Sequence, residues 1–390
     1  MFASRKKKVI GVDVNQHAVD TINRGEIHIV EPDLDMLVSA AVQQGYLKAV
    51  ITPEAADAFL IAVPTPFLPI ENDGDIPKPD LRYIEAASKA IAPVLKKGDL
   101  VILESTSPVG ATEQMAEWLA EGESADVNVA HCPERVLPGH VVTELVQNDR
   151  VIGGMSKRCS ERSVELYKTF VMGDCVITNA RTAEMAKLTE NSCRDVQIAF
   201  ANELSMICDD LDIDVWELIA LANRHPRINI LQPGPGVGGH CIAVDPWFIV
   251  SKTPKLAKLI KTARDVNDKK PVWVIDKVKI ALAEFLQANP SKTAKDVTIA
   301  CYGLAFKPDI DDLRESPALE ITKAIADFHT GQVLAIEPNV GSINHDKVKL
   351  VTIDESLTKT DIHVMLVDHI QFKKIKLTDS YVIDTKGIWS

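Results

Sequence analysis

The residues best suited to chemistry lie in one glycine-rich stretch, LQPGPGVGGHCIAVDPWF, at residues 231–248. Cys241 follows a cluster of glycines in this stretch, and Asp245 comes four residues after the cysteine. Glycine permits backbone conformations that are closed to other residues, so its amides can approach a bound group closely. A thiol after such a turn, with a carboxylate nearby, predicts a nucleophile assisted by backbone N–H groups. The alternative is an inert packing residue, since free cysteine is among the most buried residue types.

The same stretch also contains a literal GxGxxG, formed by Gly234, Gly236 and Gly239. It follows Pro233 rather than a strand pattern, and no acidic residue ends a second strand about 20 residues later, as a dinucleotide site requires. We therefore do not assign cofactor binding to these glycines.

A second group of polar residues lies on a long helical pattern at residues 181–211, which contains no Gly or Pro. Lys187, Asn191 and Arg194 are spaced i, i+4 and i+7, so an ammonium, an amide and a guanidinium share one helical face. The alternative is an ordinary solvent-exposed face, although the flanking apolar residues leave little room for one.

Three further basic residues, Arg224, His225 and Arg227, directly precede the glycine stretch. Clustered basic groups beside a flexible loop suit a phosphate or pyrophosphate. Further on, a second helical pattern contains Lys261, Arg264 and Asn267, and a third covers residues 273–287. Residues 181–290 are therefore predicted to form a central helical domain.

The elements before residue 180 alternate short apolar runs with amphipathic stretches such as 83–95 and 111–121. This alternation indicates βαβ units and a parallel sheet of the doubly wound, Rossmann-like type. Ligands of such sheets bind at the carboxyl ends of the strands. The predicted strands are 8–14, 58–65, 99–106, 127–133, 150–154 and 175–179.

Asp13 closes the first of these runs, at the position where an acid binds the ribose 2′-hydroxyl of NAD and disfavours NADP. Thr65 and Thr106 end the next two runs, and Thr112 lies in the first turn of the following helix. Each could contact a dinucleotide; the alternatives are a turn aspartate and threonine caps. Glu134 follows a later strand, beside Arg135, and the alternative for that pair is a solvated charge pair.

One expected feature is missing. A Rossmann domain begins with a strand and a glycine-rich turn about 20 residues before this acid, whereas only twelve residues precede Asp13. We therefore expect the given sequence to lack the phosphate-binding glycines, either as a shortened record or as a fragment. Their physical loss would weaken cofactor binding and leave a sheet edge unpaired.

The composition changes at residues 289–296, which predicts a linker before a second, smaller Rossmann-like domain at 291–390. Lys307 and Arg314 follow its first strand, at the edge where ligands bind. The aspartates at 309, 311 and 312 lack the glycine and terminal glutamate of a calcium loop, so no metal is predicted. The predicted strands are 297–306, 332–339, 361–369 and 381–387, with a helix at 319–328.

Length and composition limit the number of domains and the classes of partner that this chain can have. A chain of 390 residues is too long for one ordinary core, so two or three domains are expected. The net charge of −12 argues against nucleic-acid binding. The seven cysteines are scattered and odd in number, which favours free thiols in a reducing compartment over zinc or disulfides. Because no apolar run reaches about 18 residues, we expect a cytoplasmic protein with no membrane association.

Taken in order, the motifs VDxN, VPTP, ESTxPVG, CPERVLPG, ExxKLxEN, GPGVGGHCIxVDP and GLAFKPxxDDxRES resemble those of the nucleotide-sugar 6-dehydrogenase family, which includes UDP-glucose and GDP-mannose dehydrogenases. The resemblance covers nearly the whole chain. In ANRHPRINILQPGPGVGGHC and CPERVLPG it is greatest to the members that act on UDP-N-acetyl-D-mannosamine. It implies two Rossmann-like domains joined by a helical region, whose long helix forms a homodimer.

The activity implied by the resemblance is a four-electron oxidation of a sugar C6 alcohol to a carboxylate with two NAD. Cys241 would form a thiohemiacetal and then a thioester. By the family's pattern, Lys187 and Asn191 would stabilise an oxyanion, Asp245 would position water, and Glu134 would assist hydrolysis. The sugar nucleotide would contact Lys187, Asn191, Arg135, Val136, Arg194, His225, Arg227, Gly238 and Lys307. The dinucleotide would contact Asp13, Thr65, Thr106, Thr112, Arg264 and Arg314.

Three alternatives stay open. UDP-glucose dehydrogenases have a second glutamate where this chain has Pro138, which disfavours UDP-glucose but leaves UDP-N-acetylglucosamine or another nucleotide sugar possible as substrate. A two-electron dehydrogenase of the 6-phosphogluconate or 3-hydroxyacid type would share the Rossmann domain and the Lys–Asn pair, yet needs no nucleophilic thiol. A nucleotide-sugar binding protein without activity would explain the missing glycine-rich turn.

Overall fold

The computed structural model describes residues 1–27, 31–70, 72, 74–121, 126–137, 139–377 and 381–389. The chain divides into two compact units. The first comprises residues 1–190 and 251–253, and the second comprises 191–250 and 254–390. The division into domains at 1–180, 181–290 and 291–390 stays a prediction.

The first unit contains two sheets. β1 (Val9–Val12) and β2 (Leu47–Val50) form a parallel pair. Within the described residues, β1 pairs with no strand except β2. The second sheet of this unit is larger, and β3 forms one of its edges. That sheet has the strand order β3-β4-β5-β6-β7. Its strands are β3 (Ala58–Ile61), β4 (Leu100–Leu103), β5 (Asn128–His131), β6 (Arg150–Gly154) and β7 (Cys175–Asn179).

Helices cover both faces of the larger sheet, because each presents an apolar stripe to it. Two buried clusters result, one around Met115 and Val101 and the other around Tyr167 and Ile102. The helices on the larger sheet are α3 (Arg82–Ile91), α4 (Ala111–Ala120), α5 (Val141–Gln147) and α6 (Lys157–Tyr167), whereas α1 (Gln16–Asn23) and α2 (Leu34–Gln43) contact β2.

The larger sheet differs from the predicted all-parallel one, because β5 and β6 are antiparallel. After β5 the chain forms only the short helix α5 and then enters β6 from the edge that it has just left. A parallel connection needs a longer crossover to the opposite edge. The first residues of β6 therefore lie at the edge where β5 ends.

The second unit contains most of the long helix α7 (Ala180–Asp210) and all of α8 (Val215–Ala222) and α10 (Lys258–Ala288); α9 (Asp245–Lys252) lies between the last two. α7 confirms the helix predicted at 181–211. The two helical patterns predicted around residues 261–267 and 273–287 form one helix, α10, which continues through Pro271. Proline removes one hydrogen bond to the preceding turn, but buried residues on both sides, such as Asn267 and Val274, keep the helix intact.

A five-stranded parallel sheet forms the rest of this unit, in the order β10-β9-β8-β11-β12. The chain builds outward from β8 to one side and then to the other, which is the doubly wound arrangement predicted for this segment. α10 and α11 cover one face, and an aromatic cluster around Tyr302 covers the other. The elements are β8 (Thr298–Tyr302), α11 (Pro317–Phe328), β9 (Gln332–Ile336), β10 (Val348–Leu350), α12 (Ile353–Leu357), β11 (Ile362–Met365) and β12 (Tyr381–Asp384).

The predicted α/β fold class is thus confirmed, and every predicted strand contains an observed one. β2 and β10, of four and three residues, were not predicted, because each has a lysine at its second position that interrupts the apolar run. Among the described residues, no helix is long and apolar enough to span a membrane.

Candidate active site

The glycine-rich stretch lies in the second unit as a loop that ends at α9, and the element directly before it is the helix α8. A Cβ added to Gly238 would lie 2.4 Å from the Glu315 carbonyl oxygen and 2.7 Å from Pro317 Cδ. Gly239 has a φ of +80° and faces the Phe306 ring. Only glycine allows so close an approach at these positions, so the loop is pressed against the segment that follows β8.

A buried amide holds the start of this loop. Asn202, on α7, accepts a hydrogen bond of 2.9 Å from the Gly234 N–H, and its Nδ2 donates to Asn267 Oδ1 on α10. Asn202 is fully buried. Both ends of the amide are thereby satisfied, so its orientation is fixed. Two long helices therefore set the position of the loop that precedes Cys241.

Cys241 is exposed, so the alternative of a buried packing residue is wrong. Its carbonyl oxygen accepts a hydrogen bond of 2.9 Å from the Asp245 N–H, which places the two residues on one turn at the start of α9. Asp245 is buried, and its Oδ2 accepts a 2.5 Å hydrogen bond from Asn191 Nδ2 on α7. Two of the predicted catalytic side chains, Asn191 and Asp245, are thus in direct contact, and Asp245 lies one turn after Cys241 in the chain.

Arg264, predicted to contact the dinucleotide, is 1% exposed and lies between α10 and α7. Its Nη1 donates to Asp195 Oδ1 at 2.6 Å, and its Nη2 pairs with Asp268. Burial raises the pKa of Asp195, and the nearby guanidinium opposes that shift. Within the described residues, Arg264 Nε and Asp195 Oδ2 have no hydrogen-bond partner. The contact of Arg264 with a cofactor stays a prediction.

The other polar residues of the second unit that are predicted to bind ligands are largely exposed. Arg194 projects from α7, and His225 and Arg227 lie in the turn after α8. Asn223 holds that turn closed, because its side chain accepts from the Ile230 N–H at 2.7 Å and donates to the Ile230 carbonyl at 2.9 Å. The basic side chains therefore project from a fixed turn.

Lys307 and Arg314 lie in the segment after β8, at the carboxyl edge of the second sheet. Lys307 is exposed, whereas Arg314 makes a two-pronged ion pair with Asp312. Glu337 holds this segment, since its Oε2 accepts from the Leu304 N–H at 2.7 Å and from His369 Nε2 at 3.0 Å. Burial alone would raise the pKa of Glu337, but the hydrogen bonds from His369 and the backbone N–H groups lower it.

In the first unit, Asp13 directly follows β1 as predicted, whereas β3 and β4 end at Ile61 and Leu103, before Thr65 and Thr106. Asp13 follows β1 with an exposed carboxylate, which accepts a hydrogen bond of 2.8 Å from the Asn15 N–H. Thr65 Oγ1 donates to the Thr106 carbonyl at 2.6 Å, so the segments that follow β3 and β4 are joined. An exposed carboxylate and strand-end hydroxyls are groups that bind ribose hydroxyls and amides, so these residues fit a dinucleotide.

Thr112 differs from the other threonines because it is fully buried. Its hydroxyl donates to Glu184 Oε1 at 2.6 Å, and the same carboxylate accepts from the N–H groups of Gly110 and Thr112, each at 2.7 Å. Glu184 thus caps α4 from α7, and burial raises its pKa despite these donors. The Thr112 hydroxyl proton is therefore engaged inside the protein.

The loop after β5 contains Glu134, Arg135 and Val136, all partly buried. The alternative, a solvated ion pair between the side chains of Glu134 and Arg135, is wrong because each side chain pairs with a different residue. Arg135 pairs with Glu190 at 2.5 Å, and Glu134 lies 3.2 Å from the buried Arg150. Lys187 is half-buried one turn before Asn191 on α7. Pro138 lies outside the described residues.

Four residues that position these groups were not predicted from the sequence: Arg150, Glu184, Asn202 and Glu337. Their local signal was weak. Arg150 opens an apolar strand and Glu337 follows one, where an isolated charge is unusual, but the partner of each lies far away in the chain. Among the described residues, no group of three or more His, Cys, Asp or Glu residues could bind a metal ion.

Three family models match the chain. They describe the NAD binding domain, the central domain and the UDP binding domain of the UDP-glucose/GDP-mannose dehydrogenase family, and they match residues 1–171, 181–269 and 300–390.

Similar proteins were found both by sequence and by structure. A UDP-N-acetyl-D-mannosamine dehydrogenase from Yersinia pestis is 65% identical over 405 aligned residues, which cover 100% of this chain and 95% of that protein. An NDP-N-acetyl-D-galactosaminuronic acid dehydrogenase from Ralstonia nicotianae is 60% identical, with 100% and 92% covered. A solved UDP-D-ManNAc dehydrogenase from Pyrococcus horikoshii is 36% identical, with a TM-score of 0.86 and 100% and 92% covered.

Proposed function

Because the chain belongs to the UDP-glucose/GDP-mannose dehydrogenase family, we propose that it oxidises UDP-N-acetyl-D-mannosamine at C6 to UDP-N-acetyl-D-mannosaminuronate. NAD is its cofactor, and a UDP-sugar is its substrate class. The observation that carries the proposal is the 2.5 Å hydrogen bond between Asn191 Nδ2 and Asp245 Oδ2, one turn from the exposed Cys241. The 65% identity to the Yersinia pestis enzyme supports the choice of sugar.

Cys241 acts as the nucleophile in this proposal. Its sulfur adds to the C6 aldehyde to form a thiohemiacetal, and the second oxidation converts that adduct to a thioester on the same sulfur. The oxidant for each of the two oxidations would be a separate bound NAD, which would take one hydride from C6. Lys187 and Asn191 donate hydrogen bonds to the oxygen that becomes negative at C6.

Hydrolysis of the thioester then needs a base and a directed water. Asp245 accepts a proton from the water that attacks the thioester carbon, and Asn191 fixes the direction of the Asp245 carboxylate. Glu134 assists in this step. The sugar is released as a carboxylate, and the bond from carbon to the Cys241 sulfur breaks.

The binding residues are proposed from the family pattern and from their chemistry. Asp13, Thr65, Thr106, Thr112, Arg264 and Arg314 contact NAD or lie beside it. The substrate contacts Lys187, Asn191, Arg135, Val136, Arg194, His225, Arg227, Gly238 and Lys307. The exposed Asp13 carboxylate and the exposed basic side chains of Arg194, Arg227 and Lys307 support these two assignments.

A second candidate substrate is another UDP-N-acetylhexosamine. The Ralstonia nicotianae relative at 60% identity is named for N-acetyl-D-galactosaminuronic acid, so two names within this range of identity differ in the sugar. One epimeric hydroxyl separates such substrates, and side-chain identity alone does not discriminate between them.

We further propose that the protein is a homodimer of the cytoplasm, with its chain divided into NAD-binding, central and nucleotide-sugar-binding domains. Phe200 and Ile207 on α7 are 55% and 46% exposed, and Leu211, directly after the helix, is 59% exposed. Their spacing of seven and four residues places them on one helical face. An exposed apolar face of this kind suits a partner helix, which supports dimerisation through α7. The seven free cysteines support a reducing compartment.

The test is the amount of NADH formed per UDP-N-acetyl-D-mannosamine supplied, with NAD in excess. We expect two equivalents from the native chain and at most one, formed slowly, from Cys241→Ser. Cys193→Ser, which changes the other exposed cysteine, is the matched control and is expected to give two equivalents.

One equivalent from the native chain would support the two-electron alternative. Two equivalents from Cys241→Ser at the native rate would refute the covalent mechanism. If another UDP-N-acetylhexosamine gave two equivalents of NADH and UDP-N-acetyl-D-mannosamine gave none, the substrate would be that other UDP-N-acetylhexosamine.

A further inference from the structure

The buried guanidinium of Arg150 is the feature of the first unit that the proposed mechanism leaves unused. Arg150 is 4% exposed, and isolated charged groups are almost never buried without a partner. Its one ion pair among the described residues is with Glu134, at 3.2 Å from Nη1 to Oε2. Nη1 makes no hydrogen bond there, so the contact with Glu134 is electrostatic.

Sheet topology explains why these two residues meet. In the antiparallel pair of β5 and β6, His131 lies opposite Gly153 and Ala130 lies opposite Gly154. Continuing the same register by three residues beyond His131 brings Glu134 opposite Arg150, the first residue of β6. A parallel β6 would begin at the other edge of the sheet, so the single antiparallel pair places the guanidinium beside the Glu134 loop.

The Arg150 guanidinium also packs against an aromatic ring. It lies over the Tyr167 ring, with Cζ 5.1 Å from the ring centroid, a cation–π geometry. Tyr167 is fully buried and donates a 2.5 Å hydrogen bond to Glu104 Oε1 at the end of β4. Burial raises the pKa of Tyr167 well above its usual value, so the phenol keeps the proton that it donates.

Glu134 is fixed at both carboxylate oxygens. Oε1 accepts a 2.7 Å hydrogen bond from the Arg135 N–H, and Oε2 faces Arg150. A carboxylate restrained in this way presents one defined direction, which a group that assists the attack of water requires.

We infer that Arg150 is a positioning residue for thioester hydrolysis, acting through the direction that it imposes on the Glu134 carboxylate; this rests on the role proposed above for Glu134. Arg150 does not touch the substrate in this inference. Its loss therefore slows hydrolysis and leaves the two oxidations that precede it unaffected.

The experiment uses the full chain with Arg150→Met, Glu134→Gln and Arg162→Met, mixed rapidly with NAD and UDP-N-acetyl-D-mannosamine. Arg162 is a surface arginine on α6 and serves as the matched control. For Arg150→Met we expect a rapid release of two NADH per active site at the native rate, followed by turnover slowed by at least about tenfold. Mass spectrometry after acid quench should detect the thioester on Cys241 in Arg150→Met and Glu134→Gln.

A purely structural role would lower the rapid phase and the steady turnover together, with no thioester, and would overturn the inference. So would accumulation of thioester in Glu134→Gln but not in Arg150→Met, which leaves the proposed function intact. Failure of the native chain to form NADH refutes the proposed function instead. Should Arg150→Met not fold, Arg150→Lys keeps the charge without the forked geometry, and we expect a smaller accumulation of the thioester.

Discussion

At the scale of single residues, the contacts of Asn191 give it a second task beside the one expected from its helical spacing with Lys187. That spacing indicates an amide that donates to the reacting oxygen. The structure adds a bond from the same amide to Asp245. An amide nitrogen has two N–H donors, so Asn191 can orient the Asp245 carboxylate and still offer one donor to the substrate.

Lys270 shows the effect of burial on one charge. It is 2% exposed on α10, donates to Ser205 Oγ at 2.6 Å and lies 3.6 Å from the Trp273 ring centroid. Burial lowers its pKa from 10.5 to about 7. Between these two values the unfolded chain binds the proton and the folded chain releases it. The contribution of Lys270 to stability therefore falls as the pH is lowered from 10.5 to 7.

We expect Lys270→Met to raise the free energy of unfolding at pH 7 by roughly 1–3 kcal/mol, since each unit of pKa shift corresponds to about 1.4 kcal/mol and the bond to Ser205 is lost. The gain should shrink as the pH rises to 9.5, where the native lysine no longer incurs most of this penalty. Urea unfolding of both proteins at the two pH values measures the difference. An equal gain at both would show that burial of the charge is not its cause.

At the scale of elements, the glycine loop acts as a connector between helices α7 and α10 and the segment after β8. Asn202 binds its start, and Gly238 touches the chain at Glu315 and Pro317. The position of Cys241 therefore depends on packing at a distance from the thiol. Not every glycine in the loop is needed for this, because a Cβ on Gly234 would meet only the end of Lys386, at 3.8 Å.

Gly238→Ala is expected to lower the free energy of unfolding by about 1–3 kcal/mol, the usual cost of forcing a methyl group into a packed site. Gly234→Ala is the matched control in the same loop and should unfold like the native protein. Chemical denaturation without ligands separates this effect from any role of Gly238 in substrate binding. Equal stability of the two variants would contradict the close packing described for Gly238.

At the scale of the whole molecule, the proposed dimer is the property most open to a direct test. Phe200 and Ile207 on α7 and Leu211 directly after it leave three large apolar side chains exposed. Monomeric proteins rarely expose apolar residues contiguously, and such patches commonly mark interfaces.

We expect the native chain to elute as a dimer in size-exclusion chromatography with light scattering. Replacing Phe200 and Ile207 together by Asp should give a monomer, because two carboxylates would be buried without partners at the interface. Met172→Asp, at a residue 78% exposed in the first unit, is the control and should remain dimeric. A monomeric native chain would refute the proposal.

Sequence patterns were sufficient to predict the α/β class, the long helix α7, the strand before Asp13 and the glycine–cysteine loop. Each of these depends on local spacing, which apolar periodicity and glycine content report directly. Tertiary structure decided the contacts of Asn191 with Asp245, Asn202 with Gly234 and Glu134 with Arg150. The partners in these pairs are 16 to 54 residues apart, and no local pattern encodes which distant group completes a buried hydrogen bond or ion pair. The antiparallel direction of β6 was also decided by the tertiary structure. The packing of the segment between β5 and β6 sets the edge at which the chain re-enters the sheet.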